Sequence, residues 1–118
     1  MQNQFLSYDS NSLEARRLAL AEKHGRDRRL LQFHQKIYVL LKSSPRAEDI
    51  YRKAMERIAL WKASQLCSEE YISDWKAMLA DLDQFKKMAL DDTSDNAVAL
   101  RQNSPFSAFM KELKIGRI

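Results

Sequence analysis

The stretch Ser68-Glu-Glu-Tyr-Ile-Ser-Asp-Trp75-Lys-Ala-Met-Leu-Ala-Asp-Leu-Asp-Gln-Phe85-Lys-Lys-Met88 carries its large apolar side chains at Tyr71, Ile72, Trp75, Met78, Leu79, Leu82, Phe85 and Met88. Intervals of three and four line one face of an α-helix, whereas a half-buried strand would alternate every second residue. Ser68 can accept a hydrogen bond from the first turn, and Glu69 and Glu70 place negative charge at the positive end of the helix dipole. The pattern predicts one helix from Ser68 through Met88, stopped by the turn-forming run Asp91-Asp-Thr-Ser-Asp-Asn96.

The same periodicity extends on both sides. Toward the N-terminus, Ser44-Pro45 reads as the cap and first residue of a helix with Glu48 and Asp49 in its first turn and Ile50, Ala54, Ile58 and Trp61 as its buried edge, Tyr51 and Met55 alongside. Further upstream, Asn11-Ser-Leu-Glu14 has capping-box spacing, so a first helix is expected after Asn11, with 1–11 a loose segment before it. Its Leu13/Leu20 stripe is rotated by about a quarter turn from the next apolar set, Leu30, Leu31, Phe33, Ile37, Tyr38, Leu40 and Leu41. One straight helix would not bury both, so a break at Gly25 is predicted, with Gly25 as a C-cap. Toward the C-terminus, a short helix over Ala97 to Gln102 is followed by Ser104-Pro105 and an amphipathic helix within 104–118 that Gly116 can stop.

With 118 residues the chain has room for one core, and 45% apolar with 31% charged residues is the composition of a globular domain. Two glycines and two prolines starve the tight turns that sheets need. The expected fold is therefore a single all-α domain over 1–118, an antiparallel helical bundle of about four main helices plus one or two short C-terminal helices. The first residues lack the basic and apolar regions of a signal peptide, and nothing approaches the roughly 20 apolar residues of a membrane span. A single Cys67 gives no internal disulfide and no thiol-based zinc framework. A cytoplasmic protein without a membrane is expected.

The formal charge of +4 hides a polarised chain, with net +7 over 12–62 and net −5 over 63–100. Local neutralisation, basic helices packing beside the acidic one, is the plain expectation; an anionic partner is the alternative. Arg16, Arg17, Lys23, Arg26, Arg28 and Arg29 form the densest basic group and are the candidate nucleic-acid contacts, since phosphate neutralisation requires such residues. No aromatic is interleaved among them to stack on bases.

Ala63-Ser-Gln-Leu66-Cys67-Ser68-Glu-Glu-Tyr-Ile72-Ser73-Asp-Trp75 resembles the core of a repressor-type helix-turn-helix, in which Ala and Leu lead into a small turn and then Ser, Ile-Ser and Trp on the recognition helix. The resemblance covers 13 residues and implies DNA binding by the second helix. The turn is one residue shorter than the family's, Cys67 stands where such turns usually have Gly, and Glu69, Glu70 and Asp74 would meet phosphates with the wrong sign.

Catalytic and metal-binding patterns are thin. His24 and His34 are ten residues apart, too far along a helix to share a ligand. His34 reads as a satisfied core-edge histidine and Cys67 as an inert buried thiol. Asp91, Thr93 and Asp95 alternate as in a calcium loop, but no Gly marks the turn and Gln102 occupies the twelfth position. No enzyme activity, cofactor or metal is expected. The function expected by elimination is a small regulatory or adaptor protein that binds another protein or a second copy of itself. A DNA- or RNA-binding regulator is the alternative. Phe106, Phe109, Met110 and Leu113 are the candidate partner-binding face, with docking on the chain's own bundle as the competing use of that face.

Overall fold

The computed structural model describes the backbone of residues 2–113 and the side chains of 12–112. The fold is all-α, with no strand among the described residues. Helix α1 spans Gln2–Ser43, α2 Ala47–Ser64, α3 Glu69–Ala80 and α4 Leu82–Phe85; a π-helical turn, Lys86–Asp91, follows directly. Helix α5 covers Asp95–Gln102, and a 3₁₀ turn over Ser107–Phe109 runs into α6, Met110–Leu113. The C-terminal half of α1 is the centre of the bundle and touches α2, α4, the π turn and α5, while α2 packs on α3.

The predicted break at Gly25 is absent, and the helix expected after Asn11 begins at Gln2, so the segment expected to lie loose is helical from Gln2 onward. Forty-two residues at 1.5 Å each make α1 about 63 Å long, which matches the 62 Å long dimension of the molecule. The physical reason is simple: the break was needed only if both apolar stripes had to be buried. Phe33 and Ile37 are buried, Leu13, Leu18 and Leu20 are not, and one straight helix serves.

The chain reverses after α1 through Ser44, whose hydroxyl accepts the Arg46 N–H at 3.0 Å. Helix α2 then starts at Ala47, two residues beyond the expected first helical residue Pro45, and buries the expected Ile50, Ala54 and Ile58; Trp61 is half-buried. It ends at Gln65, which is left-handed with φ 54°. Ser68 caps α3 as predicted, accepting the Tyr71 N–H at 3.3 Å. The single helix expected through Met88 is interrupted at Asp81, which leaves helical geometry (φ −144°, ψ 105°) and caps α4 by accepting the Asp83 N–H at 3.0 Å. A short acceptor side chain competes with the helix ladder in this way, and the apolar spacing carries no sign of it. Beyond α4 the helix widens into the π turn, which still buries Ala89. Ser94 caps α5 by accepting the Ala97 N–H at 3.3 Å.

The core gathers Phe33 and Ile37 of α1, Ile50, Ala54 and Ile58 of α2, Ile72, Trp75 and Met78 of α3, then Phe85, Leu100, Phe106 and Phe109. Trp75, Phe85 and Phe106 meet one another with centroids 5.6 to 5.9 Å apart. In place of one amphipathic helix, 104–113 forms a turn, a 3₁₀ segment and the short α6. Residues 114–118, part of that expected helix, lie outside the described residues.

Candidate functional site

Every side chain from Leu13 to His24 is exposed, so α1 leaves the bundle as a bare helical arm. Leu13, Leu18 and Leu20 are 60%, 61% and 54% exposed. At 100° per residue Leu13 and Leu20 fall within about 20° of each other, while Leu18 lies about 140° round from Leu13. Each leucine, a little over half exposed, forgoes about 1–2 kcal/mol of burial free energy.

Of the six candidate basic residues, Arg16, Arg17, Lys23, Arg26 and Arg28 are exposed and Arg29 is half-buried. They do not converge on one face. Arg16, Lys23 and Arg26 flank Ala19 in a shallow hollow, and Arg26 and Arg29 border another with Leu18. Arg17 and Arg28 lie on the other flank of the Leu13–Leu20 stripe from Arg16 and Lys23, and Arg17 is ion-paired to Glu14.

The expected packing of basic beside acidic helices is present, with α1 against α4, the π turn and α5, and α2 against α3. Among the described residues no close ion pair joins the basic stretch 12–62 to the acidic stretch 63–100.

The second candidate surface is largely spent on the fold. Phe106 and Phe109 are buried in the core and Met110 is half-buried; the Leu113 side chain lies outside the described residues. Arg46 and Lys53 sit over the Phe109 ring at 5.8 and 5.5 Å, and Arg46 also pairs with Glu112. The C-terminal apolar face is thus docked on the chain's own bundle.

Two buried polar groups organise the interior. His34, a core histidine as the sequence suggested, donates from Nδ1 to the Leu30 carbonyl at 2.7 Å. Its Nε2 accepts from the Ser104 hydroxyl at 2.7 Å, and Ser104 in turn accepts the Phe106 N–H at 3.1 Å. Burial pushes the imidazole down to about 4, with the Leu30 bond opposing and Arg101 adding a small push in the same direction. A Ser–His contact of this length resembles a nucleophile and its base, but His34 is sealed and Ser104 is only 8% exposed. The pair is a fastening between α1 and the chain after α5.

Arg101, which no sequence pattern marks as a site, is 6% exposed and donates to the Ala89 carbonyl of the π turn at 2.7 Å. Its Nε has no partner. Desolvation lowers its pKa from the ordinary value, against the opposing fields of Asp27 and Asp92. Only the basic residue closing a short amphipathic helix hinted at it, and that is a common surface pattern.

At the helix-turn-helix-like segment, the left-handed residue of the turn is Gln65 rather than Cys67. Glu69 and Glu70 are exposed at the start of α3, and Ile72 and Trp75 are core residues; the Trp75 indole donates to the Asn103 carbonyl at 2.8 Å. Cys67, expected to be buried, is half-buried, and His24 is exposed on the arm. Asp91 pairs with Lys86 at 2.9 Å and Asp92 accepts the Ser94 N–H at 2.8 Å, so these acids serve the π turn and the α5 cap. Among the described residues no group of three or more His, Cys, Asp or Glu could hold a metal ion. Among the described residues no helix is long and apolar enough to cross a membrane. Compared with known proteins, the chain matches no family, no curated protein and no solved structure.

Proposed function

We propose that this is a non-catalytic helical protein that acts as an adaptor or regulatory partner, binding another protein through the projecting half of α1. The observation that carries this reading is the arm itself: an unbroken exposed run of α1 from Leu13 to His24, with three leucines more than half exposed. Soluble proteins rarely leave such surface without a use. A free, half-buried Cys67 fits a reducing compartment, so a cytoplasmic location goes with it.

The test replaces Leu13, Leu18 and Leu20 together by Asp and compares protein partners captured by the two full chains after nuclease treatment. The leucines contact no core residue, so the variant keeps its melting temperature and loses the partners. Unchanged capture rejects the arm.

The second reading, a DNA- or RNA-binding regulator, is favoured by Arg16, Lys23 and Arg26 lying along one side of the arm. It requires binding to duplex or single strand that weakens steeply with salt and is lost when these three become Gln. The helix-turn-helix resemblance supports it less, because Glu69 and Glu70 stand exposed where phosphates would lie.

A further inference from the structure

We propose that the partner of the arm is a second copy of this chain, the Leu13–Leu20 stripe of each copy seating in the groove lined by Leu41, Tyr51, Leu79 and Leu82 of the other. This rests on the arm being a protein-binding element and adds the identity of what it binds.

Charge is the first argument. The arm over 12–29 carries net +3, while 63–100 carries net −5, and among the described residues no close ion pair joins the two. Glu48 lines the groove and Asp83 is the next residue in the chain after the lining Leu82; neither is ion-paired among the described residues. Arg16 and Arg17 sit between Leu13 and Leu20, so a leucine entering the groove brings a guanidinium to those acids.

Reach is the second. Leu41 belongs to α1 itself. Two α1 helices laid antiparallel about a two-fold axis near residue 29 bring residue 17 of one level with residue 41 of the other, each about 18 Å from the axis. The arm is therefore long enough to deliver the stripe to the groove, and the arrangement makes both contacts at once. Buried contacts of this kind are also what a lone helix lacks: isolated helices are marginal in water, and the described part of the arm has one ion pair along it.

A lipid surface is the poorer occupant. Leu18 lies on the far side from the Leu13–Leu20 stripe with Glu14 and Glu22 also on the arm, so no single apolar face exists to enter a membrane interface.

The experiment is sedimentation equilibrium of the full chain in low salt and in about 1 M salt, where the screening length falls to about 3 Å. The expected result is a reversible dimer weakened by salt. Arg16→Glu with Arg17→Glu, and separately Glu48→Lys with Asp83→Lys, each weaken self-association by about tenfold or more, the lower end of what close interfacial charge pairs contribute. An equal mixture of the two variants restores the dimer, because both arm–groove contacts regain opposite charges; a misfolded variant would not be rescued. A wild-type chain that stays monomeric, or a dimer indifferent to both reversals, overturns the proposal. If the chain is monomeric yet the leucine variant still loses a captured protein, the second copy falls and the arm remains a binding element.

Discussion

The imidazole of His34 lies stacked against the indole of Trp75, ring centroids 5.7 Å apart and planes inclined by 27°. The neutral ring fits that setting, and a charged one would be buried among aromatic groups with Arg101 in the neighbourhood.

Stability should therefore fall as the solution is acidified. The folded-state pKa is lowered from 6.5 to about 4, so between those values the unfolded chain binds a proton at His34 that the folded chain refuses. The His34 contribution is fully present above about pH 6.5 and is lost progressively as pH falls toward 4, a total of about 3 kcal/mol. Denaturant titrations at a series of pH values check it, and His34→Phe should remove this part of the dependence. An equal slope in the variant would assign it to other groups.

Ser104→Ala should destabilise the fold by about 1–3 kcal/mol, because it strands a buried imidazole nitrogen and the Phe106 N–H together. Chemical unfolding measures this, and a change within error would mean water replaces the hydroxyl.

Trp75→Ala should cost about 3–5 kcal/mol, the range for emptying a large aromatic site in a core, since Trp75 is fully buried and contacts Phe85 and Phe106. A variant that melts like the parent would contradict the described packing.

Arg101→Met should be tolerated better than Arg101→Ala. Methionine keeps most of the buried stem and removes a guanidinium whose Nε is unpartnered, offsetting the lost bond to Ala89. Alanine empties the same space. Equal losses in the two variants would show that the bond to the π turn outweighs packing.

Gly25→Ala should raise helix content and stability by about 0.5–1 kcal/mol, the usual penalty of glycine within a helix. A Cβ there meets only the flexible end of Arg29, at 3.4 Å. Lower helicity by circular dichroism would mean the arm requires a flexible joint.

Local chemistry was readable along the chain wherever a side chain acts on its own neighbours. Ser68 in front of Glu69 and Glu70 announced a helix start, and the three-and-four spacing of Ile72, Trp75, Met78 and Leu79 announced its buried face. The break at Asp81 was not readable, because Leu79, Leu82 and Phe85 keep helical spacing across it. Gly25 misled for a different reason: reconciling two apolar stripes assumes both are buried, and nothing local says that one half of α1 leaves the core. His34 could be read as a core residue from its place beside Phe33 and Ile37. Its partner Ser104 stands 70 residues away, and only the closed bundle brings them together.

Because Phe106 and Phe109 complete a core whose other aromatics come earlier in the chain, that core is assembled late during synthesis. At about 5–20 residues per second, Trp75 precedes Phe106 by roughly 2 to 6 seconds. During that interval the nascent chain presents an open aromatic cleft, a surface for chaperones to shield and proteases to find. Messages cut short before Ser104 would yield chains that never seal it.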